Sequence, residues 1–257
     1  MNQSDSRAQI FAEIDTSSIN QRLLALWSQP DAMMGMPSKR TPLIYPSMAK
    51  GALLFVGLNP SYTVEGETFV VGGKEYSYDE HFRWDEKTNK GEFLENELKR
   101  LQSRETKYSA PYFKPLAQIA EYCGLPFEHI DLFAVQETNQ GNIRKWLAFE
   151  DVSGNGWTVS PFAQQQIDIA FDLMTMLEPK LVIVVNALAS KLFFNEFKRQ
   201  GLPMVFDDSL GSYRATLKDR TVPAFFSGML TGQRALDTFS RERLAWHAKH
   251  SISNEET

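Results

Sequence analysis

The feature that most constrains this chain is an uninterrupted apolar run, Leu53, Leu54, Phe55 and Val56, that ends abruptly in Gly57-Leu58-Asn59-Pro60-Ser61. A strand with one face in water alternates polar and apolar residues. A run without alternation describes a strand covered on both faces, and hence the interior of an α/β sheet. The turn that follows is positioned by that strand. In an open parallel sheet, ligands collect beyond the carboxyl ends of the strands, and a glycine there lets backbone approach a ligand where a side chain would intrude. Pro60 fixes its own φ and drives Asn59 out of the helical region, so the asparagine is held in one presentation. Gly, Asn, Pro and Ser are also ordinary turn formers. The turn therefore gains functional meaning only from what the rest of the chain brings to it.

Further apolar segments at 130–135, 180–185 and 222–226 alternate with helical patterns. That order predicts an α/β fold, a three-layer α/β/α arrangement around a four-stranded, mainly parallel central sheet. Ser160-Pro161 supplies an N-cap and a first-turn proline for a helix over 161–177, and Gly124 stands just past a helix that begins with Pro111. Residues 205–217 read as a separate strand pair, 236–250 as a closing helix, and 6–28 as two short helices divided by Thr16-Ser17-Ser18. The stretch 62–91, with Tyr76, Tyr78, Phe82 and Trp84, reads as a long irregular loop. The chain is expected to be a single α/β domain over 1–257: N-terminal helices and loop at 1–48, a core at 49–250 and a flexible tail at 251–257.

Composition narrows the function classes. A net charge of -5 argues against nonspecific coating of nucleic acid, although it permits a local basic patch. Cys123 is the only cysteine, which excludes an intramolecular disulfide, a cysteine-rich zinc site and a four-cysteine cluster. No segment has the length and apolarity of a membrane span, and the first thirty residues are not signal-like. The expectation is a cytoplasmic, monomeric protein with no metal and no cofactor.

Because parallel strands end on one edge, Asn59, the polar stretch from Gln136 to Asn139, Asn186 and the loop at 227–233 should share a rim. That rim is rich in amides, hydroxyls and glycines. It is poor in the His, Cys and paired carboxylates of hydrolytic metal or nucleophile sites. His129 is read as preceding the second strand, His81 as part of the long loop, and Glu65, Glu67 and Asp79 as solvated loop charges. Such a rim suits a neutral heterocycle with donors and acceptors along its edge.

At this point the chain resembles the uracil-DNA glycosylase superfamily. The resemblance rests on Gly57-Leu-Asn-Pro-Ser61 directly after the first core strand, similar to the G-[IM]-N-P-G motif of the mismatch-specific and single-strand-selective branches. It extends to Leu181-Val-Ile-Val-Val-Asn-Ala187 with the helix bearing Leu192-Phe193, and to the loop Met229-Leu-Thr-Gly-Gln-Arg234 where the family keeps its second motif. The resemblance implies hydrolysis of the N-glycosidic bond of a uracil-like or damaged base in DNA, with Asn59 orienting the attacking water and Thr231 in the second-motif position. It implies base contacts from Gly57, Leu58, Gly228 and Met229, stacking by Phe69, and edge reading by an amide at the second strand end, Gln136 or Asn139. Ser61, Gln233 and Arg234 would meet DNA phosphates. The second motif lacks the His-Pro-Ser of the best-known branch. A catalytically weak or inactive nucleic-acid or nucleotide-binding protein on the same fold is therefore the alternative. Between 214 and 243, Arg214, Lys218, Arg220, Arg234, Arg241 and Arg243 face only Asp219, Asp237 and Glu242, a local cationic excess beside that loop.

Overall fold

A computed structural model describes residues 11–29, 40–61, 68–71, 73–84, 90–101, 107–108, 110–150, 157–232 and 235–253. The chain is α/β, with a central mixed sheet of six strands: β1 (Leu53–Gly57), β2 (Phe127–Asp131), β3 (Leu181–Val184), β4 (Met204–Asp207), β5 (Ser212–Leu217) and β6 (Arg220–Phe226). Their spatial order is β4-β5-β6-β3-β1-β2. Strands β6, β3, β1 and β2 run parallel, whereas β4 and β5 join antiparallel beyond β6.

This corrects the four-stranded expectation. The strand pair anticipated at 205–217 is part of the same sheet, extending it through the β5–β6 ladder from Tyr213↔Ala224 to Leu217↔Arg220. The polar turns around these strands made the pair read as separate from the four apolar strands. Ladder hydrogen bonds, which leave no compositional trace, decide the matter.

The helices are α1 (Ser17–Trp27), α2 (Tyr78–Phe82), α3 (Lys90–Arg100), α4 (Lys114–Cys123), α5 (Gln140–Trp146), α6 (Pro161–Leu177), α7 (Ala187–Gln200) and α8 (Thr238–Ser253). Their starts and stops are set locally. Ser160 accepts from the Ala163 N–H at 3.2 Å and Pro161 occupies the first turn of α6. Gly124 closes α4 at φ 73, a left-handed conformation that a side chain would resist. The expected break at Thr16-Ser17-Ser18 is instead the beginning of α1. Thr16 donates its hydroxyl to the Tyr45 carbonyl at 2.6 Å, and residues 13–14 pair with 48–49 as a short antiparallel ladder. Within the stretch anticipated as irregular, Phe69–Val71 and Lys74–Tyr76 form a hairpin and α2 follows with a complete capping box at Ser77 and Glu80.

Burial explains why the sheet is central. Every residue of β1 and β3 is buried, and their side chains alternate between two cores. Leu54, Val56, Val182 and Val184 pack with α1, α6 and α7. Leu53, Phe55, Leu181 and Ile183 pack with Phe127, Phe225, α4 and α8. Helices thus cover both faces. Each fully buried Leu, Ile or Val contributes about 1.5–3 kcal/mol relative to exposure, which fixes the register of β1 and with it the direction in which Gly57 leaves the sheet.

Candidate functional site

One row of residues stands at the carboxyl edge of the parallel strands. Gly57 pairs with Asp131 across β1 and β2, while Val56, Val184 and Phe226 share the level just before. The ladder continues one step further, since the Val185 N–H reaches the Val56 carbonyl at 2.9 Å and the Ser227 N–H reaches the Val184 carbonyl at 2.8 Å. Asp131, Gly57, Val185 and Ser227 therefore lie side by side where the chain turns out of the sheet. Asn59 and the loop carrying Gly228, Met229 and Thr231 leave this same edge.

Asn59 is half-buried, and its amide nitrogen donates to the carbonyls of Pro60 at 3.0 Å, Val135 at 3.3 Å and Glu137 at 2.5 Å. Every neighbour of that nitrogen is an acceptor, which assigns the amide orientation without ambiguity. Among the described residues nothing donates to Oδ1. The side chain is thus a fixed acceptor, able to hold a proton of a water molecule and unable to turn. Leu58 is 3 % exposed and its carbonyl accepts from the Phe133 N–H at 2.9 Å, so its side chain belongs to the core.

The second strand is Phe127–Asp131, beginning three residues and ending four residues before the 130–135 segment that its apolar composition suggests. His129 lies inside it rather than ahead of it. Glu128, His129 and Asp131 break the apolar pattern, and each is paid for differently. Glu128 accepts from the Ala49 N–H at 2.9 Å, from Lys107 Nζ at 2.7 Å and from the Tyr108 hydroxyl. His129 meets the Tyr112 hydroxyl at 3.4 Å and lies edge-on to Phe113; burial, with Lys107 nearby, pushes its pKa down to about 3, so it is neutral.

Asp131 is the residue that sequence reasoning missed. Its carboxyl is 5 % exposed and, among the described residues, accepts no hydrogen bond; its nearest titratable contact is His129 Nδ1 at 3.9 Å. Burial pushes its pKa up to about 8. The side chain leans over Gly57: a Cβ placed there would sit 2.2 Å from Asp131 Oδ1 and 3.1 Å from His129 Nε2. Gly57 is therefore required for the room it leaves rather than for an unusual φ. The signal in the sequence was available, because alternation in Phe127-Glu-His-Ile-Asp131 places His129 and Asp131 on the face of Leu53 and Phe55.

Other expected site residues lie elsewhere or are committed. Gln136 is buried, with its side-chain nitrogen on the Thr41 carbonyl at 3.1 Å, and Asn139 caps α5 by accepting from the Gly141 N–H at 2.8 Å. Asn186 caps α7 through the N–H groups of Leu188 and Ala189. None of these amides stands at the end of β2. Ser61 is exposed beside the turn, Gly228 is exposed, Met229 and Thr231 are half-buried, and the Met229 carbonyl accepts from the Leu236 N–H at 2.8 Å. The Ser227 hydroxyl is shut away from solvent and has no partner among the described residues. Phe69 begins the hairpin ladder opposite Tyr76, but its side chain, like Glu65, Glu67, Gln233 and Arg234, lies outside the described residues. Of the basic stretch, Arg214 pairs with Asp207 at 3.2 Å and Arg220 with Glu178 at 3.0 Å. Arg241 and Arg243, on the first turns of α8, make no ion pair among the described residues. His81 is buried on Glu97 at 2.7 Å, a structural contact, and Asp79 pairs with Arg83. No cluster of three metal-ligating side chains occurs among the described residues, and none of their helices is long and apolar enough to cross a membrane.

Fold and rim together describe an α/β protein whose carboxyl sheet edge carries the held amide of Asn59 and the buried Asp131 carboxyl over Gly57. No protein-family model matches the chain, and no curated protein matches it.

Proposed function

We propose that the rim is the base site of an N-glycosyl hydrolase that removes a uracil-like or damaged base from DNA, on a fold of the uracil-DNA glycosylase kind. The observation that carries the reading is the locked amide of Asn59. Cleavage of a glycosidic bond passes through a cation-like sugar, so the nucleophile can be a plain water held in place, and an immobile acceptor at the strand end suffices to hold it. The C1′–N bond breaks with its electron pair passing to the base, and the water held on Asn59 Oδ1 adds to C1′ and releases a proton. The Asp131 carboxyl leans over the Gly57 backbone at this edge, and the loop containing Gly228, Met229 and Thr231 borders the same edge. Arg241 and Arg243 provide cations for phosphates, with Arg234 and Gln233 in the adjoining segment and Ser61 beside the turn.

The loop has Met229-Leu-Thr231 where the best-known branch of that superfamily has His-Pro-Ser. This favours a second reading, a protein that holds the base without cleaving it. Single-turnover cleavage of single-stranded and duplex oligonucleotides carrying one uracil separates the two. Asn59→Ala should lower the cleavage rate at least 10²-fold with little loss of binding. Preferential binding with no cleavage by the wild type supports the second reading, and no base-dependent binding at low salt refutes both.

A further inference from the structure

A buried carboxyl group without a hydrogen-bond partner is costly, and a folded chain retains one where something outside the chain completes it. Asp131 is 5 % exposed, and its carboxyl has no hydrogen-bond partner among the described residues. It sits at the rim, in the row shared with Gly57, Val185 and Ser227, and occupies the space above the Gly57 notch. Resting on the base-site reading, we propose that Asp131 works as a neutral carboxylic acid, hydrogen-bonding the edge of a lactam-type base and passing its proton to that base as the base departs. A lactam edge offers a carbonyl oxygen beside a ring N–H, as in uracil or hypoxanthine. A protonated carboxyl offers an O–H donor beside a carbonyl acceptor, the complementary pair.

The proton count closes. The C1′–N bond breaks and its electrons enter the base; the Asp131 O–H bond breaks and its proton goes to the base carbonyl oxygen, so the base leaves as a neutral tautomer. Water adds at C1′ and gives a proton to solvent, and the Asp131 carboxylate takes one back. The net reaction is addition of one water across the glycosidic bond.

The surroundings keep the acid neutral. His129 faces it from the same strand and is itself uncharged; Tyr112 faces it from the turn before α4, and the Tyr45 hydroxyl bonds the Asp131 backbone N–H at 3.3 Å from the segment leading to β1. Burial and the Asp131 charge hold both tyrosine hydroxyls above their ordinary range, so neither ionises at neutral pH. Lys107, which reaches this strand from the segment before α4, is engaged by Glu128 at 2.7 Å. With a pKa of about 8, the acid is protonated at pH 7 and ionised above it.

The test uses the full chain and oligonucleotides bearing one deoxyuridine or deoxyinosine, with matched 2′-fluoro versions that resist cleavage for binding, from pH 6 to 9.5. Wild-type recognition of the lactam base should fall about tenfold from pH 7 to pH 9, following loss of the proton. Asp131→Asn, which keeps a donor beside an acceptor but cannot ionise, should retain base-dependent binding with a flat pH profile and cleave at least tenfold more slowly at pH 7. Asp131→Leu should lose base-dependent binding while folding normally by circular dichroism. Base-dependent binding that is indifferent to pH and to both substitutions would overturn the role of Asp131 while leaving the base site standing. Absence of base-dependent binding in every variant would overturn the base site itself.

Discussion

Glu97 and Asp131 are buried to nearly the same degree, 3 % and 5 % exposed, yet the chain treats them in opposite ways. Glu97, on α3, takes His81 at 2.7 Å and two nitrogens of Arg100 at 2.6 and 2.8 Å, and these hydrogen bonds outweigh burial and hold its carboxyl below the usual range. Asp131 has no such donors among the described residues, and burial holds its carboxyl well above the usual range. The first carboxylate spends its charge inside the protein, welding α2 to α3. The second keeps an unused donor and acceptor at the edge where the parallel strands end. Burial alone therefore does not decide the state of a carboxyl; the donors around it do.

The largest effect should follow from breaking the paired member. Glu97→Ala leaves His81 and Arg100 around an empty site and should cost about 3–5 kcal/mol. For a chain of this size that is a fall in melting temperature on the order of 10 °C, read by calorimetry. A loss below 1 kcal/mol would show that the contrast with Asp131 is illusory.

Gly57→Ala should come next. The added methyl meets Asp131 Oδ1 at 2.2 Å, and overpacking of this kind costs about 1–3 kcal/mol. Combining it with Asp131→Ala should recover part of that loss, with a coupling of about 0.5–3 kcal/mol. Strict additivity in urea melts would mean that the aspartate does not lie over the glycine.

The pH dependence of stability sharpens the comparison further. Asp131 titrates near 3.8 when unfolded and about 8 when folded, so between those values the folded state keeps a proton that the unfolded state has lost, and stability falls as pH rises. His129 titrates near 6.5 unfolded and about 3 folded, so over that span the unfolded state holds the extra proton and stability rises with pH. The two slopes cancel from about pH 4 to 6.5. A falling limb of about 1.4 kcal/mol per pH unit remains between about 6.5 and 8. Asp131→Asn should remove it and make the protein more stable than the wild type at pH 8, as a site held at the expense of stability would be.

The smallest effect belongs to an exposed pair. Arg220 and Glu178 are half-exposed, and Arg220→Ala should change stability by under about 1 kcal/mol. A larger loss would mean that exposed pairs in this chain rival the buried one.

Much of the architecture was legible in the sequence because it is written in local chemistry. The run from Leu53 to Val56 fixed a central strand, and Ser160-Pro161 and Gly124 marked helix ends through capping and a left-handed turn. The six-stranded sheet was not legible, since the attachment of β4 and β5 is a matter of ladder pairing between strands, which their composition does not reveal. At the rim, Asn59 and Gly57 were legible as a positioned turn. Asp131 was not, because Glu128, His129 and Asp131 disguise a buried edge strand as a polar one, and Gln136 and Asn139, the amides expected at its end, tether the backbone instead.

The most direct measurement is the titration of the Asp131 side-chain carboxyl carbon by NMR in protein labelled at aspartate, with the resonance assigned by its absence in Asp131→Asn. A midpoint near pH 8 is the predicted result, and a midpoint in the ordinary range around pH 4 would contradict the account of Asp131 as a neutral, unpartnered acid waiting for a ligand.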